Sequence, residues 1–412
     1  MDDAATYQRV DSCRVCHEDA LSPFLDLGAM PPANAFLDAP DDQETAIPLE
    51  VVVCENCSHV QLQHTVDPEV LFSDYHYFSS ASTPLLDHYG DYAETVTDRY
   101  LDPEDLVVEI GSNDGVLLRQ FGPEIETLGV DPAENVAEVA REHGVETITS
   151  LFDPSVARQI REERGAAQAI CANNVVGHVH DLHGLMTGVD ALLADDGVFV
   201  VEVPYLVDLL SNHQFDTIYH EHISYFSVRS FRRLVERFDM QVLDVDRVAV
   251  QGGTIRLHVG RTSAGGSPTR MATDLGRLEL AMGLDGMAPY EEFAARTESI
   301  RDHLTTLLGT LGEDGSRIVG YGAPAKGNVL LNYCDVGTET LEYLTDTTPT
   351  KQGTYSPGMH LPVRSPEAFR EDPPEYALML PWNFQEAILE RETAFREDGG
   401  EFVVPIPYVN VV

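Results

Sequence analysis

The chain reads as an α/β protein in three parts: a small metal-stapled module, then two domains built on mainly parallel sheets. Three observations lead there. Two C-x-x-C pairs stand near the N-terminus, apolar strands alternate with amphipathic helices from 106 to about 260, and a second glycine-rich strand-turn-helix pattern occupies 317–328. Such alternation implies a largely parallel sheet with helices on both faces. At 412 residues the chain has room for two or three domains.

Residues 1–75 form the first module. Cys13-Arg14-Val15-Cys16 and Cys54-Glu55-Asn56-Cys57 each resemble a zinc knuckle. Four thiolates around Zn²⁺ close a tetrahedral structural site and leave no position for a catalytic water. A segment this short, carrying Pro31, Pro32, Pro40 and Pro48, needs such a staple to hold a core. His17, His59 and His64 could each replace a thiolate, but the four cysteines already complete the shell. A redox role is the weaker alternative, since neither pair follows a thioredoxin-like strand.

The second part spans 76–260. Residues 76 to about 100 read as a helix with Leu85, Leu86, Tyr89, Tyr92 and Val96 on one face, preceded by Tyr75-His76-Tyr77-Phe78-Ser79-Ser80. These rings and hydroxyls suit a ligand pocket, although aromatic residues at such spacing more often pack. Strands are expected at 106–110, 127–130, 168–172, 197–203, 241–246 and 254–259, and helices at 133–143, 181–194 and 228–238.

The organising stretch is Leu106-Val107-Val108-Glu109-Ile110-Gly111-Ser112-Asn113-Asp114-Gly115, an apolar run entering a glycine turn, with a helix-like segment at 116–121. Glycine lets the backbone approach a ligand closely. About twenty residues on, Leu128-Gly129-Val130-Asp131 ends a second strand in an acid of the kind that hydrogen-bonds ribose. The G-x-G-x-x-G spacing is absent, which argues against a dinucleotide. S-adenosylmethionine (SAM) has no phosphate, carries a cationic sulfonium and tolerates nearby carboxylates, so it fits better. The competing reading is an ordinary strand-turn-helix with surface acids. Ligands of open α/β sheets sit at the carboxyl ends of strands. The expected SAM residues are accordingly Glu109, Gly111, Asn113, Asp114, Asp131, Pro132, Asn173 and Asn174.

Residues 261–288 read as a connector and 289–412 as the C-terminal α/β domain, with a helix near 290–311, strands at 341–344, 376–380 and 401–404, and a helix at 384–395. In Gly320-Tyr321-Gly322-Ala323-Pro324-Ala325-Lys326-Gly327-Asn328 a glycine turn opens a helix, whose N–H groups suit an anion. Lys326 adds a point charge for phosphate. It and Lys351 are the only lysines of the chain. Gly322, Ala323, Lys326 and Asn328 are the expected substrate contacts; a packing turn with an exposed lysine is the alternative.

Net charge is −43, from 69 acids and 26 bases. That balance repels nucleic acid and anionic membranes, and dense surface acid is tolerated where salt screens it. The chain reads as a halophile's cytoplasmic protein. It has no apolar run long enough for a membrane helix and no signal-peptide pattern at Met1-Asp2-Asp3. Oligomeric state stays open, a monomer among the readings.

Two further clusters offer chemistry. Phe215-Asp216-Thr217-Ile218-Tyr219-His220-Glu221-His222 supplies imidazoles, a carboxylate and a phenol, and histidine suits proton abstraction near neutral pH. The H-E-x-x-H spacing of metalloproteases is absent, while polar-loop and packed-histidine readings stay open. Val175-Val176-Gly177-His178 follows the strand ending at Asn173, with structural and functional roles equally open for His178.

Together these residues resemble the zinc-containing, SAM-dependent C-methyltransferases of deoxysugar biosynthesis, typified by nucleotide-sugar C-3′-methyltransferases. Six motifs occur in the family's order over nearly the whole chain: the paired C-x-x-C module, Val108–Gly115, Tyr219-His220-Glu221-His222, Gln251-Gly252-Gly253-Thr254, Gly320–Gly327 and Pro381-Trp382-Asn383-Phe384. The resemblance implies a zinc module, a class I methyltransferase domain and a C-terminal Rossmann-like domain. It also implies nucleotide-linked 4-keto-deoxysugar substrates, His222 as base, and Tyr219, Glu221, His178 and Tyr77 lining the pocket. The acidic surface and scarcity of lysine depart from the family and bear on salt optimum, not on chemistry. O-methyl transfer, a nucleic-acid methyltransferase and an inactive nucleotide-sugar-binding protein are the alternatives; the lack of a basic stripe with interleaved aromatics speaks against nucleic acid.

Overall fold

The structure is a computed structural model that describes residues 7–67, 71, 80, 83–250 and 252–412, the side chains of 83–85 excepted. Valine, isoleucine and alanine runs build the central seven-stranded sheet. Its order is Met240–Val248, Thr254–Arg261, Leu193–Pro204, Ala167–Asn173, Leu106–Ile110, Glu126–Asp131, Thr147–Thr149. Thr254–Arg261 runs antiparallel to both neighbours, and the other pairings are parallel. Leu106–Ile110 is buried along its whole length, as expected for a strand covered on both faces. Every strand expected in this region forms, most with ends lengthened by pairing to a neighbour.

The helices follow their caps. The Asp181 side chain accepts from the Gly184 N–H and starts Leu182–Leu192, and the chain then turns directly into the next strand. Val228–Val235 has a Ser227–Ser230 capping box and ends in the turn Glu236–Phe238, with Asp239 left-handed. Residues 116–121 form only the single turn Leu118–Gln120. The sequence reading did not include Pro154–Arg164, capped by Asp153, nor Thr147–Thr149 and Leu206–Ser211. Within 261–288 lies the helix Arg270–Ala281.

In the N-terminal module, Leu21–Met30, Ile47–Cys54 and Val60–Leu62 form an antiparallel sheet whose fourth strand is Ser224–Tyr225, from far along the chain. Two further pieces of the 218–225 loop rest on the module. His220 Nε2 donates to the Ile47 carbonyl at 3.1 Å, and the Leu62 N–H donates to the Ile223 carbonyl at 3.0 Å. The metal module thus scaffolds the histidine loop.

The C-terminal sheet has the order Val363–Arg364, Leu344–Thr345, Ile318–Tyr321, Tyr376–Met379, Glu401–Val404, Asn410–Val411, with only the last strand antiparallel. The helix expected near 290–311 runs Ala288–Glu313. The helix expected at 384–395 divides into Gln385–Arg391 and Thr393–Glu397 at Glu392, whose carboxylate accepts from Tyr321 and Arg370. The strand expected at 341–344 is only Leu344–Thr345. Among the described residues no helix is long and apolar enough to cross a membrane.

Candidate active site

The glycine turn after Leu106–Ile110 sits at the carboxyl edge of the central sheet. Gly111 has φ +67°, and a Cβ there would lie 2.3 Å from Val175 Cγ2, so no other residue fits without displacing that side chain. The Asp131 carboxylate accepts from the Asn113 N–H at 2.8 Å and the Ala133 N–H at 2.9 Å. That fixes it between the glycine turn and the residue after Pro132, with lone pairs to spare. Burial raises its pKa, and the two N–H bonds pull the other way. Glu109 is raised well above the carboxylate range, chiefly by burial, with Asn173 donating to it at 3.2 Å.

Around this turn lie Glu109 Oε2, Ser112 Oγ, Asp114 Oδ1, Asn173 Oδ1 and Asn174 Oδ1, buried oxygens without a hydrogen-bond partner. A buried acceptor left unmade costs about 1–3 kcal/mol. The carboxylate and amide oxygens among them, at the ends of neighbouring strands, suit a ligand rich in donors and positive in charge. The ribose hydroxyls, ammonium and sulfonium of SAM meet that description.

The histidine loop lies near the same strand ends. The His178 and His222 rings are 4.9 Å apart, edge to face, and the Tyr219 ring is 4.0 Å from His222. The Ile223 N–H donates to the Gly177 carbonyl at 2.9 Å, binding the two loops together. His222 Nδ1 lies 2.8 Å from the Thr217 carbonyl. A carbonyl only accepts, so Nδ1 carries the proton and Nε2 presents a lone pair. Burial, then the neighbouring His178, push the His222 pKa down to about 3, and burial pushes His178 down to about 4. Both rings are neutral at pH 7.

Glu221 does not partner His222. Its carboxylate accepts from Asn34 Nδ2 at 2.7 Å, on the N-terminal module, with the Lys351 charge nearby. Burial raises its pKa, and those two neighbours lower it. Asn34, Lys351 and the Thr217 carbonyl lie outside the sequence-predicted set. The rarity of lysine was the one sequence signal for Lys351. Tyr77 lies outside the described residues.

On the C-terminal domain, Gly322 has φ +84° and a Cβ there would meet Pro381 at 2.7 Å. The Ala323 N–H donates to Asp346 at 2.7 Å, and Lys351 Nζ donates to the Ala323 carbonyl at 2.8 Å. Lys326 hydrogen-bonds Asn383 and lies 4.3 Å over the Trp382 ring, its pKa lowered by burial to about 8. The Asn328 amide faces away from this turn and donates to the Ala33 carbonyl at 2.7 Å, joining the domain to the N-terminal module. The structure thus gathers both lysines at one glycine turn and gives Asn328 a domain-joining bond.

In the metal module the four sulfurs of Cys13, Cys16, Cys54 and Cys57 all lie within 4.8 Å of one another and are buried. The Cys13–Cys57 and Cys16–Cys54 sulfurs are 3.5 Å apart. His17 and Ser58, each just after a C-x-x-C, take φ of 63° and 61°, turning the chain around the sulfurs. Four thiolates so arranged are a tetrahedral donor set for zinc, which supplies folding stability rather than chemistry there.

Three family models match in order. They are "Putative zinc binding domain" at 13–72, "Methyltransferase domain" at 87–245 and "C-methyltransferase C-terminal domain" at 249–407. The chain is 40% identical over 409 residues to the C-methyltransferase NovU of Streptomyces niveus, covering 98% of this chain and 97% of that one. Solved structures show lower likeness. Magnesium protoporphyrin IX methyltransferase of Synechocystis PCC 6803 with bound SAM is 12% identical, TM-score 0.32, over 43% of this chain and 78% of that one. A SAM-dependent methyltransferase of Clostridium acetobutylicum is 14% identical, TM-score 0.34, over 44% and 92%. These structural scores are too low to argue from; the near-full-length sequence match is not. With its cysteine cluster and its acceptor-lined glycine turn, the chain belongs to the zinc-containing, SAM-dependent C-methyltransferases.

Proposed function

We propose that the enzyme methylates the carbon beside the ketone of a nucleotide-linked 4-keto-deoxysugar, C-3 by the family's habit, in the cytoplasm of a salt-adapted cell. The observation that carries the reading is the His222 tautomer, with Nδ1–H committed to Thr217 and Nε2 left as an acceptor beside Tyr219 and His178. C-methylation needs a base for a carbon acid, and a fixed neutral imidazole is one.

His222 Nε2 takes the proton, and the C–H electron pair moves into the ketone as an enolate. Tyr219 or His178 hydrogen-bonds the developing oxyanion. Glu221, held by Asn34, lines the sugar side. Glu109, Gly111, Asn113, Asp114, Asp131, Pro132, Asn173 and Asn174 would hold SAM, which when bound would supply the methyl for the enolate carbon and leave as S-adenosylhomocysteine. Lys326 and Lys351, flanking the turn of Gly322 and Ala323, hold the diphosphate. The net charge of −43 supports a high-salt setting.

The experiment is incubation with methyl-labelled SAM and a panel of nucleotide-linked 4-keto sugars, followed by NMR of the product. A new methyl–carbon bond next to the ketone supports the proposal. A methyl ether, or no transfer to any keto sugar, rejects it.

A further inference from the structure

The Thr217 carbonyl that fixes His222 is the last of a single turn, Phe215–Thr217, and that turn is gripped by the C-terminal domain. Trp382 Nε1 donates to Asp216 Oδ2 at 2.6 Å. Lys326 lies 4.3 Å over the same indole and bonds the next residue, Asn383. Phe215 packs edge-on against Tyr333 of the helix Ala325–Cys334, ring centres 5.5 Å apart. Asp216 itself is fully buried.

A buried carboxylate is costly unless it is bonded and charge-paired. Packing alone would be served by an apolar residue at 216. An indole N–H aimed at a carboxylate fixes direction as well as distance. The Thr217 carbonyl projects from the end of a turn closed by the Thr217 N–H on the Gln214 carbonyl at 3.2 Å and the Ile218 N–H on the Phe215 carbonyl at 3.1 Å, so anchoring Asp216 inside that turn limits where the carbonyl can point. That carbonyl in turn decides which ring nitrogen of His222 carries the proton.

We infer that Asp216 and Trp382 are positioning residues, whose hydrogen bond ties the C-terminal domain to the turn whose last carbonyl sets the His222 tautomer. The inference rests on the proposed role of His222 and extends it. The Lys326 turn and the base thereby share one support, the Trp382 ring. Burial pushes the Asp216 carboxyl up to about 6, and the Lys326 charge and the Trp382 bond oppose that shift, in keeping with a pair that works as a unit.

The test uses the full-length zinc-loaded protein with ¹⁵N-labelled histidine. Trp382→Phe keeps a ring under Lys326 but removes the donor; Asp216→Ala removes the acceptor; Asp216→Asn keeps an oxygen that can accept. Histidine nitrogen shifts report the His222 tautomer without any turnover. Deuterium wash-in to the keto sugar, without SAM, reports the base, and calorimetry reports sugar-nucleotide affinity. Trp382→Phe and Asp216→Ala should mix the His222 tautomers and slow wash-in by about tenfold or more, since small misalignments are costly in rate. Affinity should hold, and Asp216→Asn should stay near wild type. A wild-type His222 signal in Trp382→Phe, tautomer mixing with unchanged wash-in, or a loss explained wholly by weaker sugar binding would overturn the inference. If the wild type exchanges no keto sugar while Trp382→Phe still mixes the tautomers, the substrate reading fails and the positioning link stands.

Discussion

His222 Nδ1 and the Thr217 carbonyl oxygen lie 2.8 Å apart, and this bond makes the other ring nitrogen an acceptor. Burial and His178 depress the His222 pKa to about 3. A histidine depressed this far stays neutral as pH falls through the ordinary histidine range. The rate of SAM-free deuterium exchange should therefore be flat from about pH 8 to pH 5, with no acid limb near 6.5. A limb centred near 6.5 that persists in Asp216→Asn, where the carboxyl pushed up to about 6 is gone, would assign the proton transfer to a group with an ordinary pKa.

The zinc site acts on chemistry only through the fold. Ser224–Tyr225 extends the sheet of the cysteine module, and His222 lies two residues before it. The purified protein should contain about one Zn per chain. Cys57→Ser should lose the metal and, with it, both protease resistance of the module and methyl transfer. A folded, metal-free and active protein would refute this scaffold role.

Asp131 holds the glycine turn through the Asn113 N–H, is itself fixed by the Ala133 N–H, and has lone pairs left for ribose. Asp131→Ala should weaken SAM binding by about 1–3 kcal/mol, measured by calorimetry. Asp131→Asn, which still accepts one bond, should lose less. Equal affinity for SAM in all three proteins would remove the ribose assignment.

Lys326→Ala should raise the KM for the sugar nucleotide while the Kd for SAM stays within about twofold, since removing one charged contact is typically a binding loss. The same split is expected for Lys351→Ala, from its bond to the Ala323 carbonyl. A loss confined to SAM binding would place the cofactor, not the sugar, at the C-terminal turn.

The central sheet was legible because its strands are apolar runs bounded by turn residues; 106–110 forms with both expected ends. Pro154–Arg164 carries an Asp153 cap and a proline at its first position, start signals present in the sequence but not used. The glycine turn was legible as a strand end and the cysteine cluster as a paired metal site because each C-x-x-C and each glycine-bounded apolar run is a short local pattern. The pairing of Ser224–Tyr225 with Val60–Leu62 was not, because two residues carry no periodicity and their partner lies about 160 positions away. The direction of Glu221 depends on Asn34, 187 residues distant, and Asp216 gained its meaning only once Trp382 was seen against it. Neighbouring residues in an irregular loop face in directions that spacing does not fix.

The account's central claim is that His222 Nε2 removes the proton beside the ketone. It is tested most directly by incubating enzyme and keto sugar in D₂O without SAM and following deuterium at that carbon by NMR. Wild type should wash deuterium in, and His222→Ala should do so more slowly by about 10²–10⁴-fold, with sugar binding largely kept. Equal exchange by the two proteins would contradict the claim and make His178, 4.9 Å away ring to ring, the first residue to examine.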